Sequence, residues 1–139
     1  MEHDAHKVST ATVLLVEDDS RTLSVVASLL RANGFQVITA ADSIQAIAAF
    51  DNSGESIDVV LSDIKMPGMN GPDLLDHLRS RRPSLRALLM SGFTDGAKIN
   101  APLLMKPFSL AELRAGLAAA LASSGECRVE TPTAKQEAV

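Results

Sequence analysis

Residues 12–16 read Thr-Val-Leu-Leu-Val, five positions without a charge or a break, and this run constrains the fold more than any other feature. A strand exposed on one face alternates apolar with polar residues. An unbroken β-branched and aliphatic run marks a strand covered on both faces. Further strand-like, mostly apolar runs lie at 35–39, 57–62, 85–90 and 103–105, separated by amphipathic segments. After the first run, Leu23, Val26, Ala27 and Leu30 fall on one face of a helix, and Asn33-Gly34 supplies a left-handed stop. Asp42 with Gln45 resembles a capping box, with Ile44, Ile47 and Ala48 as the apolar stripe behind it. Pro72 suits a first helical turn ahead of Leu74, Leu75 and Leu78, and Pro83 falls past that helix. Ser109 and Glu112 form a capping box before Leu110, Leu113, Leu117 and Leu121. Leu103, Leu104 and Met105 read as plain core. Strands alternating with helices predict an α/β fold, a mostly parallel sheet with helices on both faces. Two glycines and the closing proline in Ser91 to Pro102 leave room for one helical turn, so the fourth helix is expected to be short or absent.

The 139 residues suffice for one domain, which the pattern assigns to 11–122, between polar tails at 1–10 and 123–139 expected to be disordered. A formal charge of −4 argues against a nucleic-acid footprint. No apolar run approaches the roughly 20 residues of a membrane span, and the start lacks a signal peptide's apolar core. The single cysteine, Cys127, excludes a disulfide framework and a multi-cysteine zinc site, so a reduced, cytoplasmic setting is expected. His3 and His6 lie in a tail, and His77 reads as a surface position. Arg79, Arg81 and Arg82 read as a basic helix end that complements the helix dipole.

The residues able to do chemistry all fall at the carboxyl ends of predicted strands. Glu17-Asp18-Asp19 follows the first, Asp63 the third, Ser91 the fourth and Lys106 the fifth. Ligands of open α/β sheets bind in the crevice outside those ends. Carboxylates crowded there raise one another's pKa, and a hard dication relieves the repulsion; oxygen-only ligands suit Mg²⁺. Asp19 reads as an exposed N-cap rather than a ligand. Mg²⁺ binds phosphate oxygens, Lys106 adds a compact cation and Ser91 a hydroxyl, which together are the parts of phosphoryl transfer. No serine or cysteine nucleophile stands beside a base, and no glycine-rich phosphate loop is present. The expected acceptor is therefore a carboxylate that forms an aspartyl phosphate.

Four segments, Leu14-Leu15-Val16-Glu17-Asp18-Asp19, Leu61-Ser62-Asp63-Ile64-Lys65-Met66-Pro67-Gly68-Met69-Asn70-Gly71, Met90-Ser91-Gly92 and Lys106-Pro107-Phe108, resemble the receiver domain of two-component response regulators. The resemblance covers about 12–121. It implies a flavodoxin-like three-layer sandwich around a five-stranded parallel sheet of order 2-1-3-4-5. It also implies a phosphoacceptor signalling switch rather than an enzyme. Asp63 would accept a phosphoryl group from a histidine kinase or phosphotransfer protein in a Mg²⁺-dependent reaction. Asp18, Asp63 and the backbone carbonyl of Lys65 would ligate Mg²⁺, and Glu17 would hold metal-bound water. Lys106 would pair with Asp63 and then with the phosphoryl group, Ser91 would move to hydrogen-bond that group, and Lys106-Pro107 would be cis.

With no output domain in the chain, the implied partners are the kinase and a downstream effector protein. Neither direct nucleic-acid contact nor a membrane is implied, and the expected state is a monomer or weak dimer. Two departures from the family pattern stand out. Leu103 takes the place of the usual aromatic, and Lys106 follows Ser91 by only 15 positions, a shortening like that of receivers in some hybrid histidine kinases. Lys65 and Phe93, each two residues past a site residue, predict slow autodephosphorylation. A phosphatase of the haloacid dehalogenase kind would need a second aspartate where Lys65 stands. A degenerate receiver serving only as a binding module is the other alternative.

Overall fold

The computed structural model describes residues 11–92 and 98–122. The expected tails, with His3, His6 and Cys127, and the expectation for Phe93 lie outside the described residues. In chain order the elements are β1 Thr12–Val16, α1 Ser20–Ala32, β2 Gln36–Ala40, α2 Ser43–Ser53, a 3₁₀ turn Gly54–Ser56, β3 Val59–Asp63, α3 Gly71–Arg81, β4 Arg86–Ser91, β5 Leu103–Met105 and α4 Leu110–Ala122. The strands form one sheet of order β2-β1-β3-β4-β5, every pair parallel. This is the flavodoxin-like order. Residues 98–102, before β5, carry no helix.

The unbroken apolar runs find the environment they require: β1 and β3 are buried at every position. Alternate side chains along a strand leave opposite faces. Val13, Leu15, Leu61, Leu88 and Met90 therefore pack on one side with Val26, Ala27 and Leu30 of α1 and Leu113 and Leu117 of α4. Leu14, Val16, Val60 and Leu89 pack on the other with Ala46 and Phe50 of α2 and Leu74, Leu75 and Leu78 of α3. Each fully buried leucine contributes roughly 2 kcal/mol of apolar transfer.

Local signals fix the helix ends. Asp19 accepts from the Thr22 amide at 2.9 Å, and Ser109 and Glu112 close their box reciprocally at 3.0 and 2.8 Å. Gly34 takes the left-handed conformation at φ 92°. Asn70, a cap that the sequence reading did not single out, accepts from the Asp73 amide at 2.9 Å ahead of Pro72.

Three readings require correction. In α2 the buried residues are Ser43, Ala46 and Phe50, whereas Ile44 is 77% exposed and Ala48 is also exposed. Ile44, Ala46, Ile47, Ala48 and Ala49 spread small and apolar residues over more than one face, and the large Phe50 ring is buried. Met105 is exposed because β5 is an edge strand whose alternate residues turn outward. His77 is half-buried, its Nε2 enclosed without a protein partner. The three arginines stand at the end of α3 as read, and they also bind specific acceptors. Arg79 reaches the carbonyls of Leu85 and Asn100, Arg81 pairs with Asp51, and Arg82 reaches the carbonyls of Gly54 and Ile57.

Candidate functional site

Parallel strands point their carboxyl ends the same way, so residues far apart in sequence meet above one edge of the sheet. Glu17 follows β1, Asp63 ends β3, Ser91 ends β4 and Lys106 follows β5. Glu17 is 1% exposed, and Asp63 and Ser91 are also buried, while Asp18 is exposed. The Lys106 Nζ lies 2.8 Å from Glu17 Oε1 and 3.2 Å from Asp63 Oδ1. The other Glu17 oxygen, Oε2, accepts from the Asp19 amide at 3.0 Å. Carboxylate oxygens of Glu17, Asp18 and Asp63 all lie within 4.8 Å of one another. Lys65, two residues past Asp63, has an exposed side chain, and the Lys106-Pro107 peptide is cis.

The backbone beneath the acids is tightly held. The Ile64 amide donates to Met90 O at 3.0 Å, and the Gly71 amide donates to Ile64 O at 2.8 Å. A Cβ on Gly71 would lie 2.2 Å from the Asp63 carbonyl oxygen, so only glycine permits α3 to start this close to Asp63. The Lys106 amide donates to Ser91 O at 2.8 Å, tying the lysine to the end of β4.

Burial, and then the neighbouring Glu17 charge, push the Asp63 carboxyl up to about 6, with Lys106 opposing. Burial works against the charge on Lys106. Its hydrogen bond to Glu17 and the charge of Asp63 nonetheless hold the ammonium above its ordinary value. Asp19 is lowered by the Thr22 hydroxyl, as expected of a cap. Three carboxylates against one ammonium leave two surplus negative charges when all are ionised. An oxygen-only donor set with surplus charge and one exposed side fits a hard, partly hydrated dication such as Mg²⁺. Sequence reasoning assembled these residues but missed the Lys106–Glu17 pair, because spacing does not say which of two acids a lysine favours. Gly71 was readable only as the end of a motif; its role depends on a backbone approach that a sequence does not display.

Residues 13–118 match the family model described as the response regulator receiver domain. The chain belongs to that family, whose members are phosphoacceptor signalling domains of two-component systems, bind Mg²⁺ at their acidic site, and interact with histidine kinases and effectors. It is 37% identical over 111 residues to the sensor kinase CckA of Brucella abortus, covering 75% of this chain and 12% of the kinase. Curated mycobacterial regulators that it also matches are spanned over about half their length. Among solved structures, the receiver domain of the hybrid histidine kinase CckA is 37% identical with a TM-score of 0.69, covering 80% of this chain and 99% of that one. CheY of Borrelia burgdorferi, solved with CheX, BeF3 and Mg²⁺, is 26% identical with a TM-score of 0.72, covering 81% of this chain and 90% of that one. No helix among the described residues is long and apolar enough to cross a membrane.

Proposed function

We propose that Asp63 is the phosphoacceptor of a receiver unit spanning 11–122, acting in the cytoplasm as a monomer or weak dimer. The observation that carries this reading is the placement of Lys106 Nζ between Glu17 and Asp63, with the Asp18 carboxylate in the same cluster. A carboxylate oxygen of Asp63 attacks phosphorus while the P–N bond of a donor phosphohistidine breaks. The electron pair returns to the imidazole nitrogen, which takes a proton from water. Lys106 faces the site of the new phosphoryl oxygens, and the Ser91 hydroxyl, buried at the adjacent strand end, donates to them. Asp18, Asp63 and the Lys65 carbonyl would hold Mg²⁺, with Glu17 binding it through water. When bound, the ion offsets the charge that the carboxylates and phosphoryl oxygens bring together. The Mg²⁺ and BeF3 named with the Borrelia CheY support that assignment. The phosphorylated state then alters binding to an effector protein.

Incubation with Mg²⁺ and acetyl phosphate tests this directly. One alkali-labile phosphoryl group per chain, abolished by Asp63→Ala, supports the reading. No labelling by acetyl phosphate or by any histidine kinase overturns it and leaves a binding module. Rapid turnover of many phosphate esters points instead to a phosphatase.

A further inference from the structure

We propose that Asn100 is a positioning residue that closes a ring of contacts around Asp63 and couples Lys106 to helix α3. This proposal rests on the phosphoacceptor reading above.

The ring can be followed atom by atom. Lys106 reaches Asp63 Oδ1 at 3.2 Å. Lys106 is covalently continuous, through the three residues of β5, with the segment 98–102. That segment is pinned to β4 by the Leu89 amide, which donates to Pro102 O at 2.8 Å. Two residues earlier, the Asn100 side-chain nitrogen donates to Pro72 O at 2.9 Å and to Asp76 Oδ1 at 3.1 Å, in the first two turns of α3. Both acceptors are oxygens, which fixes the orientation of the amide. Arg79, also on α3, donates to Asn100 O at 2.8 Å, and Lys98 pairs with Asp76. Pro72 is bonded to Gly71, which stands against the Asp63 carbonyl with no room for a Cβ. The path thus returns to the residue where it began.

A closed ring does not absorb a local displacement silently. If a phosphoryl group on Asp63 draws the Lys106 ammonium away from Glu17, β5 and 98–102 move with it. Asn100 then passes the displacement to the start of α3. Gly71 offers no slack on the opposite side. One link is less than fully satisfied: the Asn100 Oδ1 is buried without a partner. A buried acceptor left unpaired is unfavourable. In this chain α3 and 98–102 therefore carry the phosphorylation signal.

Hydrogen exchange read by mass spectrometry on the full chain, with and without beryllium fluoride plus Mg²⁺, tests the ring. In the wild type, exchange changes in peptides covering 86–92 and also in those covering 71–81. Asn100→Ala leaves the 86–92 response intact and cuts the α3 response at least about twofold, within the range seen for residues that modulate coupling. An α3 response in Asn100→Ala equal to that of the wild type overturns the ring and leaves the phosphoacceptor reading standing. No response at any peptide overturns both. Equal melting temperatures for Asn100→Ala and the wild type exclude loss of fold as the cause.

Discussion

The two ends of the sheet handle buried charge in opposite ways. At the end where the strands begin, Arg82 and Asp58 meet matched partners. Arg82 donates to the carbonyls of Gly54 and Ile57 and lies 5.9 Å from the centre of the Phe50 ring, and Asp58 accepts from the Thr12 amide at 2.8 Å. At the end where the strands finish, three carboxylates cluster and one lysine pairs with two of them, Glu17 and Asp63. The contrast teaches which end serves stability and which holds unspent charge for a ligand. A group whose pairing is complete gains nothing from an added ion, whereas Asp63 at about 6 gains a great deal.

Substitutions at the two ends sharpen or break this contrast. The largest effect is expected from Gly71→Ala, whose Cβ meets backbone rather than a flexible side chain. It should destabilise by about 3 kcal/mol, the upper part of the usual overpacking range, and slow labelling of Asp63. Denaturant melts and phosphoryl labelling read the two losses separately. Arg82→Ala at the opposite end removes two charge-assisted hydrogen bonds and a cation–π contact, for a loss of about 2–3 kcal/mol. Its labelling rate should match the wild type, and a slowed rate would show that the two ends are not independent.

Asp63→Asn should act in the other direction. Because the folded carboxyl sits above its ordinary value of 3.8, its favourable contribution is fully present below about pH 4 and is lost as pH rises through about 6. At pH 7.5 without Mg²⁺, the amide variant should therefore be more stable by about 2 kcal/mol, with the gain vanishing near pH 4. Thermal melts across that window check the sign. Destabilisation by Asp63→Asn at neutral pH would refute the picture of surplus charge. The smallest effect belongs to Asp51→Ala, which breaks an exposed pair with Arg81 and should shift stability by under about 0.5 kcal/mol.

Much of this was legible in the sequence where one residue type has one physical solution. The unbroken run at 12–16 allows only a strand buried on both sides, and Leu74, Leu75 and Leu78 define a single helix face. Legibility failed where several solutions are nearly equal in energy. Helix α2 spreads apolar residues over more than one face, and the one that turns inward carries Ala46 and the large Phe50. Met105 sits in an apolar triplet, yet the edge position of β5 sends it toward solvent. In the site, strand ends predicted who gathers, while the choice of Lys106 between two acids and the strap made by Asn100 depend on contacts between distant segments.

β5 offers only three rungs of pairing, all to β4, and it ends where Lys106 begins. Strands held on a single side by so few bonds open at a fraction of the free energy needed to unfold the whole domain. The ammonium facing Asp63 therefore rides on the sheet's most weakly tethered margin, while the acids stand on or beside its two central strands. A shift of that margin carries the cation with it and, through the Asn100 contact with Pro72, reaches the start of α3.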